Sequence, residues 1–117
     1  MAKKDPTYTA AQITEKLKDL PGWSYDDGWI RRTYTTDGWP TTLMLVNLIG
    51  YLAEAADHHP DLNVSWARVV VSFQNHSAGG ITDKDFELAR RCDAIALWRP
   101  SGEALQGAQR KFVQGGP

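Results

Sequence analysis

The chain has 117 residues, enough for one domain around one core. Its hydrophobic share of 42% and charged share of 23% are those of an ordinary globular protein. A formal net charge of −1 excludes a global field that would draw the chain to nucleic acid or to an anionic membrane.

No apolar run approaches the roughly 20 residues needed to span a bilayer. The first residues, Met-Ala-Lys-Lys-Asp-Pro, lack the apolar stretch of a secretory signal. Cys92 is the only cysteine, so no internal disulfide can form, and a reducing, cytoplasmic setting is expected. Trp23, Trp29, Trp39, Trp66 and Trp98 are too scattered for one stacking platform and are expected in the core or at a subunit contact.

Residues 1–8 are expected to form a tail, 9–98 the domain and 99–117 a second tail. Thr9-Ala-Ala-Gln12 has the form of a capping box. Ile13, Leu17 and Leu20 follow at helical spacing until Pro21-Gly22 stops the helix. Trp23 to Thr35 has the pattern of a β-hairpin, with Asp27-Gly28 at its turn. Gly38-Trp39-Pro40 opens the longest helix, since Pro40 in a first turn sacrifices no hydrogen bond. Leu45, Leu48, Ile49, Leu52, Ala55 and Ala56 make one apolar stripe on it. The pattern ends at His58-His59-Pro60, because a proline disfavours helical geometry in the residue before it.

Alternation at Leu62, Val64 and Trp66, then at Val69, Val71 and Phe73, predicts two antiparallel strands joined near Ala67-Arg68, the second ending at His76. Gly79-Gly80 suits a turn. Thr82 is placed to cap a third helix with Asp83 and Asp85 in its first turn. Phe86, Leu88, Ala89, Cys92, Ile95 and Ala96 would be its apolar face. After Trp98-Arg99-Pro100 the composition turns to Ser, Gly and Gln, leaving Leu105, Phe112 and Val113 as possible packing points. The order helix, hairpin, helix, hairpin, helix predicts an α+β two-layer sandwich: a four-stranded antiparallel sheet with three helices on one face. Free sheet edges would invite a second subunit.

All three histidines fall between 58 and 76. Glu54 and His58, four apart, would share a helix face. Asp57 lies one turn from Glu54, and Asp85 opens the next helix soon after His76. Histidine gives and takes protons near neutral pH. Loss of water needs an acid for the leaving hydroxyl and a base for a proton on the neighbouring atom. Against this stand plainer uses: a histidine at a helix end is often only a cap, and the carboxylates could be solvated surface. Adjacent histidines on a helix point about 100° apart, and no HxxxH or CxxC spacing is present, so a metal site is not expected.

The stretch Glu54-Ala-Ala-Asp57-His58-His59-Pro60, followed by Trp66, His76, Gly79-Gly80 and Thr82-Asp-Lys-Asp85, resembles the signature of the pterin-4a-carbinolamine dehydratase family. The likeness runs from about Leu17 to Ile95 and includes Leu-Pro-Gly-Trp23. It implies an α+β fold, dimers or tetramers, no metal or organic cofactor, and dehydration of 4a-hydroxytetrahydropterin to quinonoid dihydropterin. It implies His58 and His76 as the proton-transfer pair, with His59 binding and orienting the pterin. Glu54 and Asp57 would hold substrate or histidines, and Asp85 would orient His76. Pro60, Trp66, Gln74 and Asn75 would complete the pterin site.

Three positions depart from the family pattern. Phe73-Gln74-Asn75-His76 stands where Ser-Thr-His or Thr-Thr-His is usual, and Leu62 where tryptophan is frequent. The larger amides of Gln74 and Asn75 are expected to narrow or reshape the pocket. They also keep open a second use of the fold: a non-catalytic binding protein, such as a RuBisCO assembly factor or a protein-binding coactivator. No basic stripe points to nucleic acid as a partner.

Overall fold

The computed structural model describes residues 5–115. Helix α1 spans Ala10–Lys16 and continues as a tight turn over Leu17–Asp19. Its capping box is formed in both directions, with the Gln12 N–H donating to Thr9 Oγ1 and the Thr9 N–H to Gln12 Oε1. Strands β1 (Ser24–Asp26) and β2 (Trp29–Thr36) form the first hairpin. Asp27 and Gly28 take φ of 52° and 82°, the pair of positive values that a two-residue turn needs to match strand twist.

Helix α2 runs Trp39–Ala56, a length of about 27 Å at 1.5 Å per residue. Strands β3 (Asp61–Ser65) and β4 (Arg68–Phe73) make the second hairpin, turning at Trp66-Ala67, one residue earlier than alternation suggested. Helix α3 spans Asp83–Ala96, and β5 (Val113–Gln114) closes the chain. The sheet order is β1-β2-β4-β3, antiparallel throughout, so β3 is one edge. At the other edge β1 covers only the first residues of β2, and β5 pairs with Thr35 and Thr36 further along.

Alternation decides which sheet face is covered. Ile30, Arg32 and Tyr34 from β2, with Val69, Val71 and Phe73 from β4, are buried on the helix side. Ile13 of α1, Leu45 and Ile49 of α2, and Phe86, Ala89 and Cys92 of α3 join them in one core. Burying each large apolar side chain contributes about 1.5–3 kcal/mol. Ala55 and Ala56 leave the α2 stripe and are exposed towards α3. Ile95 is exposed as well, because about 100° per residue carries it to the side of the Phe86–Ala89–Cys92–Ala96 row. Of the tryptophans only Trp23 is buried; Trp39, Trp66 and Trp98 face outward, so the expectation of tryptophan core packing holds for one of the five.

An ion pair between buried Arg32 and part-buried Asp93 ties Pro21 and the C-terminal segment to the core. Arg32 donates from Nη1 to Asp93 Oδ2 at 3.1 Å and to the Pro21 carbonyl at 2.8 Å. Its Nη2 donates to the Gly115 carbonyl. Asp93 also accepts from Trp23 Nε1 at 2.9 Å and from the Tyr34 hydroxyl. The Phe112 ring has the guanidinium groups of Arg99 and Arg110 5.4 and 5.3 Å from its centroid, and Val113 is buried, while Leu105 is exposed. At the other terminus the Tyr8 N–H donates to the Ile81 carbonyl.

Candidate active site

The register fixes which residues share an end of the sheet. Asp61 pairs with Ser72, and Ile30 with Phe73. The segment entering β3, the segment leaving β4 and the start of β2 therefore meet at one end. His58 and His59 lie on the first, His76 on the second and Trp29 on the third.

Helix α2 ends on Asp57, which adopts the left-handed conformation with φ 51°. The Asp57 N–H donates to the Glu54 carbonyl at 3.2 Å and the His58 N–H to the Ala53 carbonyl at 3.1 Å. This is the Schellman pattern of helix termination, with Asp57 in the position usually held by glycine. The reversal swings His58 off the helix. Glu54 consequently meets His59, at 2.6 Å between Oε1 and Nε2, and not His58, as four-residue spacing on a continuous helix would give. Asp57 itself is exposed, and Pro60 carries the chain into β3.

His58 turns inward. Its ring lies parallel to that of Phe73, with centroids 6.1 Å apart and planes 9° apart. Its Nε2 stands 2.6 Å from Asp85 Oδ1. The His58 side chain is 11% exposed and that of Asp85 0%. Asp85 Oδ2 accepts the Thr82 N–H at 2.8 Å, completing a capping box at the start of α3, where the helix dipole favours negative charge. Asp85 thus holds His58, whereas the family resemblance assigned it to His76.

His76 stands in the loop between β4 and α3, because β4 ends at Phe73 and not at His76. Beyond Phe73 the side chains take over the backbone partners. Gln74 Nε2 donates to the Gly28 carbonyl at 2.9 Å, and Asn75 Oδ1 accepts the Ala78 N–H at 3.1 Å. An isolated bridge joins Asn75 to Gly80, and Gly79 takes φ 79°. His76 is exposed and sits edge-on to Trp29, centroids 5.7 Å apart. The three imidazoles therefore share one end of the sheet, each with its own neighbour, and among the described residues no ring contact joins His58 to His76.

Gln74 and Asn75 do not fill the site. Gln74 is turned to the first hairpin, and Asn75 is buried in its own loop. Trp66 is not brought to the histidines by this chain. It lies at the β3–β4 turn, against Gly38 at the start of α2, the opposite end of both α2 and β3 from His58.

Beside His58 a cleft of about 500 Å³ runs between α2 and α3. That is a volume typical of sites for small organic molecules. Leu52 and Leu88 contribute apolar surface, Lys84, Glu87 and Arg91 charge, and His58 one end; His59 and His76 are outside it. Sequence patterning did not single out Lys84, Glu87 or Arg91, whose exposed helical positions resemble any solvated face. Asp5 was missed too, being read as part of a tail. Its carboxylate accepts from Lys84 Nζ at 2.8 Å and from Asn75 Nδ2 at 3.2 Å, and the Lys84 hydrogen bond holds its pKa below the ordinary 3.8. Among the described residues no group of three or more His, Cys, Asp or Glu is placed to hold a metal ion. No helix there is long and apolar enough to cross a membrane.

The fold and site together define a small two-layer α+β domain with a largely buried histidine–carboxylate pair beside a cleft. Residues 6–95 match the family model described as pterin 4 alpha carbinolamine dehydratase, and the chain belongs to that family. A provisionally named pterin-4-alpha-carbinolamine dehydratase from Roseiflexus sp. (strain RS-1) is 44% identical over 85 residues, covering 73% of this chain and 91% of the relative. A protein of the same provisional name from Aquifex aeolicus is 42% identical over 84 residues, covering 72% and 85%. The crystal structure of a transcriptional coactivator/pterin dehydratase from Brucella melitensis superposes with a TM-score of 0.73 at 31% identity, covering 78% of this chain and 99% of that one.

Proposed function

We propose that this protein removes water from 4a-hydroxytetrahydropterin to give quinonoid dihydropterin, as a step in pterin recycling, with His58 as the central proton-transfer group. The observation that carries this is the His58–Asp85 pair, 2.6 Å apart at the end of the cleft. With the Asp85 carboxylate accepting, the proton of a neutral His58 ring rests on Nε2, and Nδ1 is the free basic site. In the reaction the C4a–O bond breaks, the N5–H proton is removed, the C4a–N5 double bond forms, and the hydroxyl takes a proton and leaves as water. His58 handles one of these protons at the cleft, and the family resemblance assigns the other to His76, whose ring lies outside the cleft beside Trp29. His59, held by Glu54, orients the ring, with Asp57 and Pro60 beside it, while Gln74 and Asn75 act only through the loop that carries His76. A second copy pairing along the free β3 edge would make the active species an oligomer.

The reading as a RuBisCO assembly factor or other non-catalytic binding protein rests on Gln74 and Asn75 reshaping the pocket and on the extended segment after Trp98, which folds back through Phe112 and β5 onto the domain. Both amides are engaged with the scaffold, and no observation favours that reading.

The test is turnover. Purified protein added to 4a-hydroxytetrahydropterin, generated by an aromatic amino acid hydroxylase, is expected to raise dehydration above the spontaneous rate. His58→Ala is expected to lower kcat by about 10²- to 10⁴-fold with an unchanged circular dichroism spectrum. A wild-type rate equal to the spontaneous one refutes the proposal.

A further inference from the structure

The N-terminal segment reaches the candidate active site through a continuous run of polar contacts. Asp5 lies just before the residues that match the family model. Its carboxylate accepts one N–H of the Asn75 amide at 3.2 Å. The same amide nitrogen donates to Thr82 Oγ1 at 3.3 Å, and the carbonyl of that amide accepts the Ala78 N–H at 3.1 Å. Thr82 Oγ1 in turn donates to Asp85 Oδ2 at 3.4 Å, and the Thr82 N–H reaches the same oxygen at 2.8 Å. Asp85 then holds His58 at 2.6 Å.

The donors and acceptors run consistently along this path. Asn75 uses both amide hydrogens and its carbonyl, so loss of any one partner loosens the orientation that the others hold. Asn75 and Thr82 are 6% and 1% exposed, which makes a misdirected amide costly there. Asp5 is the outermost member and its negative charge selects the nitrogen side of the amide. It also holds Lys84, a residue of the cleft rim, at 2.8 Å. Asn75 lies directly before His76, so the same amide sets the start of the loop carrying that ring.

We infer that Asp5 is a positioning residue for the proposed reaction: through Asn75 and Thr82 it fixes the Asp85 carboxylate that aims His58, and it anchors the loop that presents His76. The inference rests on the role given to His58 under the proposed function. The bonds to a carboxylate that are lost without Asp5 are of the stronger, charge-assisted kind.

Asp5→Ala and Asp5→Glu separate the possibilities, with two readouts on the full chain. The first is the rate at which the His58 Nε2 proton exchanges with water, followed as a downfield imidazole resonance; it needs no substrate. Asp5→Ala is expected to speed this exchange about tenfold, and Asp5→Glu to restore most of the protection. The second is the split of turnover: Asp5→Ala is expected to lower kcat about three- to tenfold with KM within about twofold, and Asp5→Glu to recover it. Unchanged proton exchange in Asp5→Ala overturns the inference. Faster exchange with undiminished kcat overturns it too, since Asp5 would then serve the fold alone. If the wild type shows no turnover, the dehydratase reading falls and the exchange measurement alone decides for or against the clamp.

Discussion

His58 and Asp85 are 27 positions apart in the chain and meet at 2.6 Å, one from the turn that ends α2 and the other from the first turn of α3. Asp85 serves two purposes with its two oxygens: Oδ1 takes the imidazole, and Oδ2 caps the helix. A histidine bonded to such a carboxylate is held in one tautomer and one ring orientation. Asp85→Asn keeps the shape but presents an amide. It is expected to lower dehydratase kcat about 10- to 100-fold, by analogy with loss of other orienting partners of a functional histidine. Asp85→Ala is expected to cost in addition about 1 kcal/mol of stability through loss of the capping box. Urea denaturation of both variants beside kinetics separates the two effects, and equal kinetics for Asp85→Asn and the wild type would count against the orienting role.

Phe73 supports the same ring from below, parallel and 6.1 Å away, and is itself 0% exposed. It also stacks on Trp23 at 5.8 Å. Phe73→Ala is expected to destabilise the fold by about 3–5 kcal/mol, the usual cost of emptying a core aromatic position. Phe73→Leu fills most of the space and is expected to cost less than about 2 kcal/mol while still loosening His58. Chemical denaturation of the two variants checks the order.

Arg32 and Asp93 form the ion pair that joins Pro21, Trp23, Tyr34 and the C-terminal segment. Removing Asp93 leaves a buried guanidinium without its counter-charge, and removing Arg32 leaves a part-buried carboxylate with Trp23 and Tyr34 as its remaining donors. Arg32→Ala is expected to lose about 3–5 kcal/mol. The double replacement Arg32→Met with Asp93→Leu is expected to recover part of that loss, since neither charge is then stranded. A double variant no more stable than Arg32→Ala would show that the bonds to Pro21 and Gly115 dominate.

Burial pushes the Cys92 thiol from its ordinary 9.0 up to about 12, with the Asp93 charge adding to the effect. Tyr34 is also raised from 10.0, chiefly by burial and then by its hydrogen bond to Asp93. In the unfolded chain both groups ionise near their ordinary values. The folded chain retains those protons, so unfolding releases them at high pH and stability falls as pH rises. Stability is expected to be undiminished by these groups below about pH 9 and to decline progressively above it as first the thiol and then the phenol ionise in the unfolded state. Native protein at pH 8 is expected to resist iodoacetamide, and unfolded protein to react promptly. Denaturant midpoints between pH 8 and 11 test the first expectation; rapid alkylation of the native protein would contradict the second.

Local chemistry made much of this molecule legible. The Thr9–Gln12 box, the Asp27-Gly28 turn, Pro40 in the first turn of α2 and the Thr82–Asp85 cap all act within four residues, and each forms where the residue types demand it. Period-two alternation in β4 likewise determined its buried face, since a strand has only two faces to choose from, whereas Val64 of β3 and Trp66 after it are exposed. The α+β architecture followed from those elements and from the family resemblance, whereas of the three histidines expected around one site only His58 lines the cleft.

What the chain could not announce were the pairings that depend on direction in space. Asp57 in a left-handed conformation reverses the backbone within one residue, and that reversal decided that Glu54 meets His59 while His58 turns to Asp85. The same limit hid Asp5, Lys84 and the Arg32–Asp93 pair, whose partners lie 61 to 79 residues away. Sequence spacing fixes neighbours along a helix or strand because their geometry repeats. Across a turn or between layers the contact depends on the summed course of the whole backbone, and only the tertiary structure supplies it.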